Sequence, residues 1–269
     1  TRSSFAAFFL PDDGSISRTP RGAIPQTDQV KDLKMTDGQL QTNTIFGTPT
    51  WRYPVPEMKR FHDEIKGQLR DLWRQGYFAR HGSGYGYQTR EELFTPVNVE
   101  RIEYVRVLKE KFIEACTRIL TTRHGHSKRM PFDIYCVQGW VLIQTNEAWV
   151  DGPWHHHHPA TLSGCYYVQV PPTRDPTEGL LMFQRPEPNN IFCENMAAVR
   201  PIEGCLTIFP SYLMHRPMPT PTATDWRIGI CMDAFVHWNK RFEDPLRQFS
   251  DEESYQLAAR ESRGGKSIP

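Results

Sequence analysis

From about residue 130 onward the chain breaks into short runs that no helix could use. They span residues 132–137, 140–145, 162–170, 179–183, 191–193, 204–209 and 226–235, and Pro, Gly and Asn separate them. Runs this short, rich in β-branched and aromatic residues and spaced near ten residues apart, suit an antiparallel sandwich or barrel. Two helices precede them. In residues 56–75, Met58, Phe61, Ile65, Leu69 and Leu72 recur at steps of 3, 4, 4 and 3, one helical face opened by Pro56. In residues 96–120, Ile102, Val105, Leu108, Phe112, Cys116 and Ile119 keep the same period behind Thr95-Pro96, an N-cap and a first-turn proline. The expected architecture is mainly β, with two helices bracing the outer face of a barrel.

The remaining segments set the expected limits of that unit. Residues 1–43 read as an irregular N-terminal extension, and residues 44–51 as a short strand running into a turn. His81-Gly82-Ser83-Gly84-Tyr85-Gly86-Tyr87 reads as a loop or distorted edge strand, and residues 239–269 as a polar tail with a helical pattern near 252–260. One domain over 44–238, its barrel over about 130–238, is the resulting division. Lys and Arg (32) nearly balance Asp and Glu (31), so no global field favours nucleic acid or acidic lipid. The longest apolar stretch near the start, Phe5 to Leu10, falls far short of the roughly 18–20 residues of a membrane span. Six cysteines with no Cys-x-x-Cys pair read as free thiols of a soluble, cytoplasmic protein rather than a disulfide framework or zinc ribbon. Neither a Gly-x-Ser-x-Gly elbow nor a Walker-type loop is present.

Ten histidines are present, four of them consecutive: His155-His156-His157-His158, between Trp154 and Pro159. An affinity tag would sit at a terminus, whereas this run lies mid-chain just before a strand. Consecutive residues of an extended chain point to opposite faces, so one alternating pair, His155/His157 or His156/His158, converges on a single centre. Two imidazoles on one face suit Fe, Zn, Cu or Ni. His215, after the run 204–209 and its Pro210-Ser211 turn, offers a third. Arg227 opens the next apolar strand and is costly to bury without a carboxylate. That carboxylate is either a side chain, Asp225 or Asp233, or a ligand.

His-x-His, Leu162-Ser163-Gly164-Cys165-Tyr166-Tyr167-Val168, the stretch to Phe209-Pro210, His215 and Arg227 together resemble the Fe(II)- and 2-oxoglutarate-dependent oxygenases, in particular a bacterial and phage group. Phe46-Gly47-Thr48-Pro49 and Tyr85-Gly86-Tyr87-Gln88-Thr89 match that group more loosely. The resemblance implies a double-stranded β-helix, a jelly-roll, cupin-like barrel. It further implies Fe(II) on two of the clustered histidines and His215, 2-oxoglutarate as cosubstrate with its distal carboxylate on Arg227, and consumption of O2 with release of succinate and CO2. Hydroxylation is the implied outcome. Anchoring on His-Pro selects His156 and His158, the preferred register; anchoring on Leu-Ser-Gly selects His155 and His157. Most of the superfamily carries His-x-Asp/Glu, so a third imidazole here leaves the site one negative charge poorer. Where the family has Arg-x-Ser, this chain has Arg227-Ile228-Gly229.

Trp140, Trp154, Tyr166 and Tyr167 read either as barrel core or as an apolar substrate wall, with Tyr167 the candidate facing the cosubstrate. Two other readings compete: a three-histidine, cupin-type dioxygenase that uses no keto acid, and a non-catalytic metal-binding barrel. A cupin motif would carry an acid a few residues past His-x-His, where this chain has Ala160-Thr161-Leu162-Ser163. A small-molecule substrate is favoured, with no nucleic-acid or membrane partner; the oligomeric state is open.

Overall fold

The computed structural model describes residues 39–45, 47–80, 82–123, 132–147, 150–186 and 195–238. The expected tail helix, the strand at 191–193 and most of the N-terminal extension lie outside them. Eleven strands and three α-helices are described: β1 Gln41–Ile45, β2 Thr48–Pro54, α1 His62–Arg74, β3 Gly82–Ser83, β4 Gly86–Gln88, α2 Pro96–Arg101, α3 Glu103–Arg123, β5 Phe132–Gln144, β6 Leu162–Gln169, β7 Leu181–Gln184, β8 Met196–Val199, β9 Cys205–Pro210, β10 His215–Pro217 and β11 Arg227–Trp238.

The strands form two antiparallel sheets, one ordered β1-β2-β9-β6-β11-β5-β4-β3 and the other β10-β7-β8. This is the double-stranded β-helix. Strand alternation gives the large sheet two different faces. Ile228, Ile230, Met232 and Ala234 of β11, Tyr166 and Val168 of β6, and Leu206 and Ile208 of β9 form one core with the helical residues Ile65, Leu69, Val105, Leu108, Phe112 and Ile119. Both helices therefore brace the outer face, and burial of their apolar stripes holds them there. The opposite row of β11, starting at Arg227, faces the barrel interior.

Several boundaries differ from the sequence reading for identifiable reasons. Residues 44–51 belong to a hairpin rather than one strand, because Gly47 takes a left-handed φ of 75° between β1 and β2. β1 begins at Gln41, inside the stretch expected to be irregular. The first helix opens with a 3-10 turn over Pro56–Phe61 before α1. The second is broken at Ile102, whose backbone is extended, although Thr95 caps it as expected by accepting a 3.1 Å hydrogen bond from the Asn98 amide. The two runs 132–137 and 140–145 form one continuous strand, β5. Gly139 marks no turn there: its amide donates to Glu92 Oε1 and its carbonyl accepts from the Leu93 amide, both at 2.8 Å. Among the described residues, no helix is long and apolar enough to cross a membrane.

Candidate metal centre

Three histidines meet inside the barrel. His155, His157 and His215 bring one ring nitrogen each within 4.8 Å of one another. His155 and His215 exchange backbone hydrogen bonds of 3.1 and 2.9 Å, which pins the histidine run to β10. The His157 amide donates to the Ser211 carbonyl at 2.9 Å. Each Nδ1 faces an acceptor: the Pro153 carbonyl for His155 (2.8 Å), Asp233 Oδ2 for His157 (2.8 Å) and the Leu213 carbonyl for His215 (2.9 Å). A carbonyl or carboxylate can only accept, so each Nδ1 carries the proton and each Nε2 keeps a lone pair for a metal.

The register preferred from sequence is corrected here. His156 and His158 are exposed, their ring centroids 6.4 Å apart, and the His158 amide donates to His156 Nδ1 at 3.2 Å. Neither joins the cluster. The physical reason is the pairing of β6 with β11: Ser163 lies opposite Asp233, its hydroxyl donates to Asp233 Oδ1 at 2.6 Å, and the other oxygen of that carboxylate holds His157. A one-residue slip would reverse the faces and remove both bonds.

The cluster is electrostatically suited to a cation. Burial, reinforced by the neighbouring His155, pushes the His215 imidazole down to about 3, and burial also lowers His155. Both are therefore neutral, as metal ligands must be, at neutral pH. Among the described residues, no carboxylate joins the three nitrogens; Asp233 stands one bond behind, through His157. Asp151 is not a substitute, because it pairs with Arg216 at 3.0 Å.

A cavity of about 270 Å³ opens onto this cluster. It is lined by the three histidines, Trp140 and Leu142 from β5, Cys165 and Tyr167 from β6, Phe209 from β9, and Arg227, Gly229 and Cys231 from β11. Arg227 is 4% exposed. Its NH1 hydrogen-bonds the Gln144 side-chain carbonyl, its guanidinium carbon lies 5.2 Å from the centre of the Tyr167 ring, and its Nε has no partner. Neither side-chain carboxylate anticipated for it is available. Asp225 bonds Arg70 at 2.8 Å, and Asp233 is engaged with His157 and Ser163. Among the described residues, this buried cation has no carboxylate partner, a costly arrangement unless a ligand supplies one.

Tyr167 lines the cavity; Tyr166 points the other way, its hydroxyl 2.7 Å from His62 Nε2. Trp140 stacks on His157 at 5.3 Å between centroids. Trp154 instead packs on the core of the small sheet, with the Arg216 guanidinium 4.6 Å from its ring centre. Sequence reasoning missed Gln144 and the role of Asp233. The signal for Asp233 was present, since positions 227, 229, 231 and 233 share one face of a strand.

Residues 138–233 match the family model described as "Putative 2OG-Fe(II) oxygenase". Over that stretch the barrel is similar to the 2OG-Fe(II) oxygenases. Comparison with curated proteins gives no match. Among solved structures, the barrel is similar to a prolyl-4-hydroxylase from Pseudomonas putida (TM-score 0.46, 10% identity, covering 69% of this chain and 92% of that one). It is also similar to the α-ketoglutarate-dependent carbocyclase SnoK of nogalamycin biosynthesis (TM-score 0.47, 9% identity, 72% and 83% covered). A third is the auxin-oxidising dioxygenase of Arabidopsis thaliana in its 2-oxoglutarate complex (TM-score 0.45, 11% identity, 68% and 82% covered).

Proposed function

We propose that the chain is a non-haem Fe(II)- and 2-oxoglutarate-dependent dioxygenase that hydroxylates a small molecule, with His155, His157 and His215 as metal ligands and Arg227 as the cosubstrate's anchor. The observation that carries this reading is the buried Arg227, without a carboxylate partner among the described residues, sharing one cavity with three clustered imidazoles. Overall, R–H, O2 and 2-oxoglutarate give R–OH, succinate and CO2. Bound Fe(II) would supply O2 activation coupled to decarboxylation of the keto acid.

The protein's own contributions follow from the geometry. The three Nε2 atoms would offer imidazole donors to such an ion. Asp233 holds the His157 tautomer and stands in, at one remove, for the charge a carboxylate ligand would bring. Arg227 presents its fork to a carboxylate, with Gln144 fixing NH1 and Tyr167 covering the guanidinium. Trp140, Leu142 and Phe209 exclude water, which strengthens that ion pair and protects a reactive centre. A cavity of this size suits a small molecule better than a folded protein surface.

The test is an anaerobic titration of metal-free protein with Fe(II), then 2-oxoglutarate, followed in the visible for the charge-transfer band of a metal-chelated keto acid. The band is expected in the native chain, His156→Ala and His158→Ala, and absent in His155→Ala, His157→Ala and His215→Ala. Arg227→Met should raise the 2-oxoglutarate requirement by more than about tenfold, the loss of a buried charge-assisted pair, while leaving iron binding intact. Iron binding without a band would favour a three-histidine dioxygenase that needs no keto acid. Absence of iron binding would make the cluster structural.

A further inference from the structure

Two thiols line the same cavity, and neither the ligand set nor the Arg227 anchor uses them. Cys165 of β6 and Cys231 of β11 are directly paired across the sheet, on the row that also carries Tyr167 and Arg227. Their sulfurs lie 3.8 Å apart, with Cys231 donating to Cys165. We propose that Cys165 and Cys231 form a two-electron redox site, closing to a cross-strand disulfide when a peroxide enters the cavity.

Geometry supports the bond. Directly opposed residues of an antiparallel pair have Cα atoms about 4.5–5.5 Å apart, inside the 4.4–6.8 Å range of disulfides. Closing the sulfurs to about 2.05 Å therefore needs side-chain rotation, not strand movement. Gly229, one step along the row, leaves Cys165 room: a Cβ there would stand 2.7 Å from the Cys165 sulfur.

The chemistry is asymmetric in the way a nucleophile and a resolving thiol require. Burial opposes ionisation of Cys165, but the hydrogen bond from Cys231 and the Arg227 guanidinium outweigh it and draw its thiol down. The same bond, with burial, pushes Cys231 up. Cys165 would attack the peroxide oxygen, giving a sulfenic acid and one water. Cys231 would then attack that sulfur and release the second water. Two thiols are oxidised to one disulfide and one peroxide is reduced to two waters. The two fully buried thiols are poor competitors: burial raises Cys205 to about 11 and Cys116 further, and neither lines the cavity.

The experiment uses the full chain stripped of metal with a chelator, so it reads the thiols independently of iron and keto acid. Hydrogen peroxide is added in small excess, free thiols are alkylated, and peptides are mapped by mass. The expected result is a linked 165–231 peptide, with two of the six thiols lost together and restored by dithiothreitol. That loss should run more than about tenfold faster than alkylation-detected loss of Cys116 or Cys205. In Cys231→Ser, Cys165 should instead yield a sulfenic acid trapped by dimedone. Free Cys165 and Cys231 after another cysteine has oxidised, or a different linked pair, would overturn the proposal.

Discussion

His215 carries two burdens at once, burial and the company of two other imidazoles. Its imidazole, near 3 in the fold, returns to the ordinary value of about 6.5 when the chain unfolds. Between those values the unfolded chain holds a proton that the folded chain does not. Stability of the metal-free protein therefore rises with pH across the window from about 3 to 6.5 and falls on acidification. Urea unfolding of chelated protein at pH 7.5 and pH 5 should show a loss of a few kcal/mol at the lower pH, on the order expected for one buried histidine. His215→Gln should shrink that difference, leaving the share of His155, which burial also lowers; an unchanged slope would assign it to other groups.

Asp233 is the second residue on which the site turns. It accepts from both His157 and Ser163, one oxygen each. Asp233→Asn keeps the shape, removes the charge and leaves only one acceptor oxygen for two donors. Calorimetric Fe(II) affinity should fall by about 10–100-fold, the usual cost of losing the carboxylate behind a histidine ligand, with the far-ultraviolet circular dichroism unchanged. An equal affinity would mean that the three imidazoles suffice without the charge.

At the scale of elements, β5 shows how a local sequence signal can mislead. Gln138-Gly139 interrupts two apolar runs and reads as a turn, yet the strand passes straight through. The glycine is needed for space: a Cβ at position 139 would drive into the Phe94 ring and come within 3.0 Å of the Cys231 carbonyl oxygen. Gly139→Ala should lower stability by about 1–3 kcal/mol, the range for overpacking, as read from the thermal or urea midpoint. Preserved stability would show that Phe94 can move aside. The helices were legible because a repeat at steps of three and four is a local property. Their breaks were not, since Ile102 is extended within a pattern that reads as one helix. The short strands β8 and β10 also carried no strong signal, because three or four residues are too few for a period and their pairing partners are distant in sequence.

For the whole molecule, the sequence by itself determined a β-rich barrel with helices on its outside and a histidine run placed just before one of its strands. Those conclusions rest on hydrophobic period and on residue type, which are written along the chain. Tertiary structure alone decided which histidines face inward. In an extended segment two registers are equally regular, and only the cross-strand bonds Ser163–Asp233–His157 and the His155–His215 bridge distinguish them. It also decided that, among the described residues, Arg227 is without a side-chain carboxylate. Asp225 is two residues away in sequence, but it bonds Arg70 of α1. The same holds for Cys165 and Cys231, separated by 66 positions and brought opposite each other by the pairing of β6 with β11. Partnership between residues far apart in sequence is a property of strand order and register, and no local pattern in the chain encodes it.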